Sequence, residues 1–110
     1  MTRSITELLS EVDDADPLLF DAIAEGVDAF VSSNRDRAVV DWRIYRIAEW
    51  SRQLASEDRA RMPTIDWTGL GRLRFLLAHH FHTIRPELMF VFVALHVPKL
   101  QHALRTAANT

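Results

Sequence analysis

The sequence predicts an all-α fold, a small antiparallel helical bundle that dimerises through its last helices. Three observations carry that expectation. Apolar residues recur at steps of three and four through successive segments, the spacing of a helix face. Helix-start signals precede those segments: Ser4 with Glu7, Asp16-Pro17, Asp66 and Pro86. With 3 glycines and 4 prolines in 110 residues, little sequence is available for the turns of an all-β fold.

Taken in order, Ser4 followed by Glu7 forms a capping-box pattern, and Ile5, Leu8, Leu9 and Val12 keep helical spacing behind it. Asp13-Asp14-Ala15-Asp16 should break this short helix. Asp16 as N-cap and Pro17 at the first helical position should start the next, burying Leu19, Phe20, Ile23, Val27 and Phe30. Ser32-Ser33-Asn34 should end it. The longest helix is expected over 35–55, with Val39, Val40, Ile44, Ile47 and Leu54 in the core and Trp42, Tyr45 and Trp50 alongside. Two tryptophans and a tyrosine on one helix exceed what one small core needs and point to an interface. Arg46 and Glu49 are spaced to pair at i,i+3, and the acids of the first third read as a solvated face or else as a surface for a basic partner. Ser56-Glu57-Asp58 can start a short turn before Met62-Pro63 stops the chain.

The helix over 65–81, IDWTGLGRLRFLLAHHF, is capped by Asp66 and anchored by Trp67. Gly69 and Gly71 allow close approach, and Leu70, Leu73, Leu76 and Leu77 form its stripe. After a tight connection at His82–Arg85, Pro86 opens the last helix, with Leu88, Phe92 and Leu95 on one face flanked by Met89, Val93 and Val97. Apolar groups nearly all round require burial on more than one side, hence a homodimer. Pro98 should kink this helix, and Leu100 and Leu104 carry its stripe on.

The length fits one domain, residues 1–110, and the 48% apolar and 25% charged shares are those of an ordinary globule. No cysteine is present, so disulfides and thiolate metal sites are excluded. The longest apolar run, Leu88–Val97, is broken by His96 and too short to span a bilayer. The first residues lack the apolar region of a signal peptide, so a cytoplasmic protein without membrane contact is expected. Residues 1–34 hold eight acids against Arg3, whereas residues 35–110 hold seven acids against twelve bases. Only the second part can face a phosphate backbone, and arginine supplies twelve of the thirteen bases.

Chemistry concentrates at Arg74 and His79, with His80 a second candidate and His82 close behind. Histidine can move either proton of an RNA cleavage, and arginine stabilises charge on the pentacoordinate phosphate. On an ideal helix, residues five apart lie about 140° from one another. Either the helix unwinds at His79 to re-aim the ring, or a second chain completes the geometry. The plainer alternative pairs Arg74 with an acid such as Asp66 and sets His79 as a helix C-cap. His79, His80 and His82 are too closely spaced for three ligands from one helix face, so neither metal nor cofactor is expected. His96 and His102 read as surface residues.

This stretch resembles the HepT-like toxins of the HEPN superfamily, small all-α ribonucleases encoded with a minimal nucleotidyltransferase antitoxin. The resemblance rests on Asp66-Trp67, Arg74, His79 five residues later and the aromatic Phe81. It extends upstream to Arg37-Ala38-Val39 and Ile47-Ala48-Glu49 and downstream to Pro98-Lys99-Leu100, thus over residues 35–105, with little in residues 1–34. It implies a metal-independent endoribonuclease whose Arg74 and His79 act across a homodimer, with RNA as substrate and the antitoxin as partner. Phe75 stands where the family has asparagine, and Phe81 where it has the tyrosine that the antitoxin modifies with AMP. Phe81 has no hydroxyl, so that modification cannot occur there. The departures leave open a degenerate HEPN-type module that binds a nucleotidyltransferase or nucleic acid without cutting, and a plain helical dimerisation module.

Overall fold

Ser4 starts the first helix as a full capping box. Its hydroxyl accepts from the Glu7 amide at 3.0 Å, and the Glu7 carboxylate accepts from the Ser4 amide at 3.1 Å. The computed structural model describes residues 2–110, and in it this helix, α1 (Ile5–Ile23), runs unbroken through Pro17. The break expected at Asp13–Asp16 does not occur. Pro17 removes one backbone bond, but its ring faces solvent, while Val12, Ala15 and Leu19 are buried on either side of it. Tertiary packing of that strip overrides the local stop signal.

The chain turns at Gly26, whose φ of +96° only glycine adopts without strain, into the short α2 (Val27–Ser32). Leu19, Ile23 and Phe30 are buried as expected, but Phe20 is exposed on the outer side of the continuous α1, and Val27 is exposed as the first residue of α2. Ser33 then caps α3 (Asn34–Arg52), its hydroxyl accepting from the Asp36 amide at 3.1 Å. Val40, Ile44 and Ile47 are fully buried, and Leu54 is buried just beyond the helix end. The Arg3 amide donates to the Gln53 carbonyl at 2.8 Å, so α1 and α3 lie antiparallel. Across this pair Glu11, 5% exposed, accepts two hydrogen bonds from Arg46, at 2.7 and 3.2 Å. Glu11 is therefore not part of a solvated acidic face, and Arg46 turns to it rather than to Glu49. Asp13 likewise leaves the solvated face to accept from Gln101 and Arg105.

A short α4 (Ser56–Ala60) leads to the buried Met62 and the start of α5 (Trp67–His79). The Trp67 indole N–H donates to the carbonyls of Arg59 and Met62, both at 3.2 Å, which fixes the approach of the chain. Asp66 caps α5 by accepting from the Gly69 amide at 2.9 Å. A Cβ at Gly69 would sit 2.4 Å from the Asp66 carboxylate, whereas one at Gly71 would meet nothing within 4 Å. The close approach is thus at Gly69 alone, and it is to the cap. Gly71→Ala should stabilise the chain by about 0.5–1 kcal/mol, the usual gain in a helix interior. Gly69→Ala should show no such gain, because displacing the cap costs about 1 kcal/mol. Denaturant titration of the two variants checks the contrast.

A 3₁₀ turn at Phe81–Thr83 connects to α6 (Pro86–Val91), with Pro86 at its first position. A π turn at Phe92–His96 then leads without a break into α7 (Val97–Ala108). There the Val97 amide donates to the Phe92 carbonyl, five residues back. Pro98 has no amide to give and its ring would crowd the Ala94 carbonyl, so the distortion expected of Pro98 takes this form, one turn upstream. The buried strip here is Met89, Val93, Val97, Leu100 and Leu104. Leu88 and Leu95, expected on the core face, are 62% and 65% exposed, and Phe92 is half-buried. Both strips are apolar, so periodicity alone could not choose between them.

α3 packs against both α5 and α1, α1 packs against α7, and α2 packs against α6. Among the described residues the only strand-like pairing is a single bridge between Arg3 and Leu54. No described helix is long and apolar enough to cross a membrane.

Candidate active site

Arg74 lies two turns into α5, on the side that packs against α3. Its guanidinium reaches Glu49, Nη1 to Oε1 at 3.7 Å, and not Asp66. Glu49 also accepts from Arg52 at 2.9 Å and from the Gln53 side-chain Nε2 at 3.3 Å. The Arg52 hydrogen bond, helped by Gln53 and by the charges of Arg52 and Arg74, holds the Glu49 carboxyl below the ordinary range against the opposing effect of burial. Arg74 is therefore the outer member of a shared ion pair. Its Nε is buried with no hydrogen-bond partner among the described residues, an unfilled donor on a side chain that is otherwise one quarter exposed.

His79 is the last residue of α5 and is exposed, so its imidazole is free of the core. The backbone leaves the helix only at His80, with φ −143° and ψ 38°, after the His80 amide has closed the final turn on the Leu76 carbonyl at 2.7 Å. The unwinding that would have re-aimed His79 comes one residue too late. Arg74 and His79 therefore keep their helical separation, and no hydrogen bond joins them among the described residues.

Phe75 stands between the imidazoles. Its ring lies 4.9 Å from that of His79 and 5.8 Å from that of His80, centre to centre, and it is half exposed. Phe81 is 63% exposed and meets the His82 ring edge-on at 5.9 Å. The two phenyl rings thus give the exposed end of α5 an apolar surface set among three imidazoles. No group of three histidine, aspartate or glutamate side chains is placed to hold a metal ion among the described residues. His96 and His102 are exposed on the last helix, away from this cluster in sequence.

Beside the site, Trp42 is 56% exposed, while Trp50 lies under the Arg3 guanidinium at 3.9 Å. Sequence reasoning missed Glu49 as the partner of Arg74, and it missed Asp41. The signal for Glu49 was present in the Glu49/Arg52 spacing, which equals the Arg46/Glu49 spacing and competes with it. Asp41 follows Arg37 by four residues, a pairing distance on a helix, but nothing local says that it lines a groove.

Comparison with protein-family models, with curated proteins and with solved structures finds no match to this chain.

Proposed function

We propose that the chain is a metal-independent endoribonuclease, the toxin half of a toxin–antitoxin pair, in which Arg74 and His79 act across a homodimer. The observation that carries this reading is an incompleteness. Arg74 holds an unfilled buried donor, His79 is presented at an exposed helix end, and five helical residues set the two about 140° apart. The strip Leu88, Val91 and Leu95 is exposed on the segment that follows, and no described residue covers it. A second copy on that strip would bury it and bring a second Arg74 and His79 to the same cleft. Arg35, Arg43 and Arg72, which form no ion pair among the described residues, add positive charge suited to a phosphate backbone.

The purified chain should sediment as a dimer at micromolar concentration and cut single-stranded RNA in EDTA, leaving 2′,3′-cyclic phosphate ends. Leu95→Glu, at an exposed position, should give a folded monomer without activity. A monomeric variant that still cuts, or cleavage that needs a divalent ion, rejects the shared-cleft reading.

A second reading is favoured by Phe75, Phe81 and the Glu49 contact. Phenyl rings replace two polar groups beside the imidazoles, and Glu49 draws on the charge of Arg74. On this reading the chain is a degenerate HEPN-type module that binds a nucleotidyltransferase or nucleic acid without cutting. Absence of cleavage from the wild type, with cleavage restored by Phe75→Asn and Phe81→Tyr, would select it.

A further inference from the structure

Two adjoining grooves between α3 and the α5–α6 connection share Asp41 and Phe81 in their walls. One, of about 480 Å³, is aromatic, lined by Trp42, Tyr45 and Phe81. The other, of about 450 Å³, carries Arg37 and His82 over an apolar floor. Both volumes fall in the range of small-ligand sites. The Trp42 and Tyr45 rings run nearly parallel, 23° apart with centres 6.2 Å from each other. Arg46, fixed by Glu11, lies 5.9 Å from the Trp42 ring, and more than half of Trp42 is left open to solvent. Such exposed flat rings are a surface on which a planar ligand can stack.

Asp41 stands at the junction of the grooves. It is half-buried, and its carboxylate makes no hydrogen bond and no ion pair among the described residues. Burial pushes its carboxyl up, opposed by the charge of Arg37. Its oxygens stay open to the grooves, so a ligand entering there can donate to them. Arg37 donates to the Asn34 side chain, which steadies its guanidinium, and its Nε is buried without a partner among the described residues.

We propose that these grooves form one site for a guanine nucleotide: the base stacks on Trp42 and Phe81, its N1–H and N2–H donate to the two oxygens of Asp41, and Arg37 and His82 face its phosphate. An ionised carboxylate only accepts. Guanine alone among the RNA bases presents two adjacent donors on its Watson–Crick edge. Adenine and cytosine set one donor beside an acceptor, and uracil flanks its donor with carbonyls. Arginine's fork suits the phosphate. The site requires neither dimerisation nor catalysis.

Calorimetric titration of the full chain with GMP, AMP and inorganic phosphate tests it. GMP should bind saturably and about 10-fold or more tighter than AMP, the scale of one matched base edge. Asp41→Asn should remove that preference by weakening GMP while sparing AMP. Trp42→Ala should weaken both alike, since stacking does not read base identity.

Asp41→Asn should also raise the thermal midpoint of the unliganded chain near neutral pH. The folded-state pKa is raised, so the charged carboxylate disfavours folding above it, and the penalty fades as pH falls toward the unfolded value. The variant's advantage should accordingly vanish in acid. A merely structural aspartate would instead destabilise on replacement. A trinucleotide with central guanosine that binds tighter than GMP assigns the site to an RNA strand, and the reverse assigns it to a free nucleotide. No saturable GMP binding, phosphate binding as tight as GMP, or a base preference that survives Asp41→Asn overturns the proposal. Because binding is read without turnover, these outcomes are independent of whether the chain cleaves RNA.

Discussion

His79→Ala should slow RNA cleavage by about 10²–10⁴-fold, the span usual for loss of a general acid or base. The His79 side chain is exposed and touches mainly the Phe75 ring, so its removal leaves the core untouched and isolates the chemistry. Arg74→Ala should cost about 10²–10³-fold, as removal of a donor to developing phosphate charge does. Glu49 keeps Arg52 at 2.8 Å in that variant, so the α3 surface stays paired. Arg74→Lys should recover only part of the rate, because an ammonium restores the charge but not the planar fork. His80→Ala is the control. If it abolishes cleavage while His79→Ala does not, the proton-transfer role belongs to the residue that has already left the helix. Single-turnover rates in EDTA, with circular dichroism of each variant, separate these outcomes.

Arg46→Met should lower stability by about 3 kcal/mol, the lower end for breaking a buried ion pair, because the arginine side is partly solvated. Glu11 is the reason. It is 5% exposed, and both its oxygens are satisfied by the one guanidinium, at 2.7 and 3.2 Å. Without Arg46 a carboxylate remains between α1 and α3 with no counter-charge. At this chain length the midpoint should fall by roughly 12 °C, at about 4 °C per kcal/mol. Glu11→Met combined with Arg46→Met should recover most of the loss, since an apolar pair of similar volume has no charge to desolvate. Arg46 also lies 5.6 Å from the Trp50 ring and 5.9 Å from that of Trp42, so the variant should loosen the aromatic groove as well.

Local chemistry made much of the architecture legible. Ser4 with Glu7, Asp66 before Trp67 and Pro86 before Glu87 each mark a helix start by satisfying or removing an amide that the helix leaves free. What local chemistry could not settle is decided by packing. Asp16-Pro17 reads as a helix start, but burial of Ala15 and Leu19 on one strip keeps α1 continuous through it. Leu88 and Met89 are equally apolar, and only the fold says which of them faces inward. Glu11 looks like any other acid of the first third until α3 brings Arg46 across.

The site is legible to the same degree. Arg74, His79 and their aromatic neighbours can be found by spacing and residue type, because those are properties of one helix. Glu49 and Asp41 come from another helix, and their relation to the site is tertiary.

The π turn at Phe92–His96 has a consequence for how the two surfaces of the last helix can vary. It acts as a phase joint: one surplus residue is absorbed there, so the segment before it and the segment after it are indexed separately against the core. Deleting one residue outside the joint, at Phe90, would leave that surplus in place and turn the segment before it by about 100° relative to α7. Met89 would then swing out of the core and Leu88 toward it, exchanging the strip that is buried for one now open to a partner. The outward strip can therefore change its side chains without disturbing Leu100 and Leu104, but it cannot change its length.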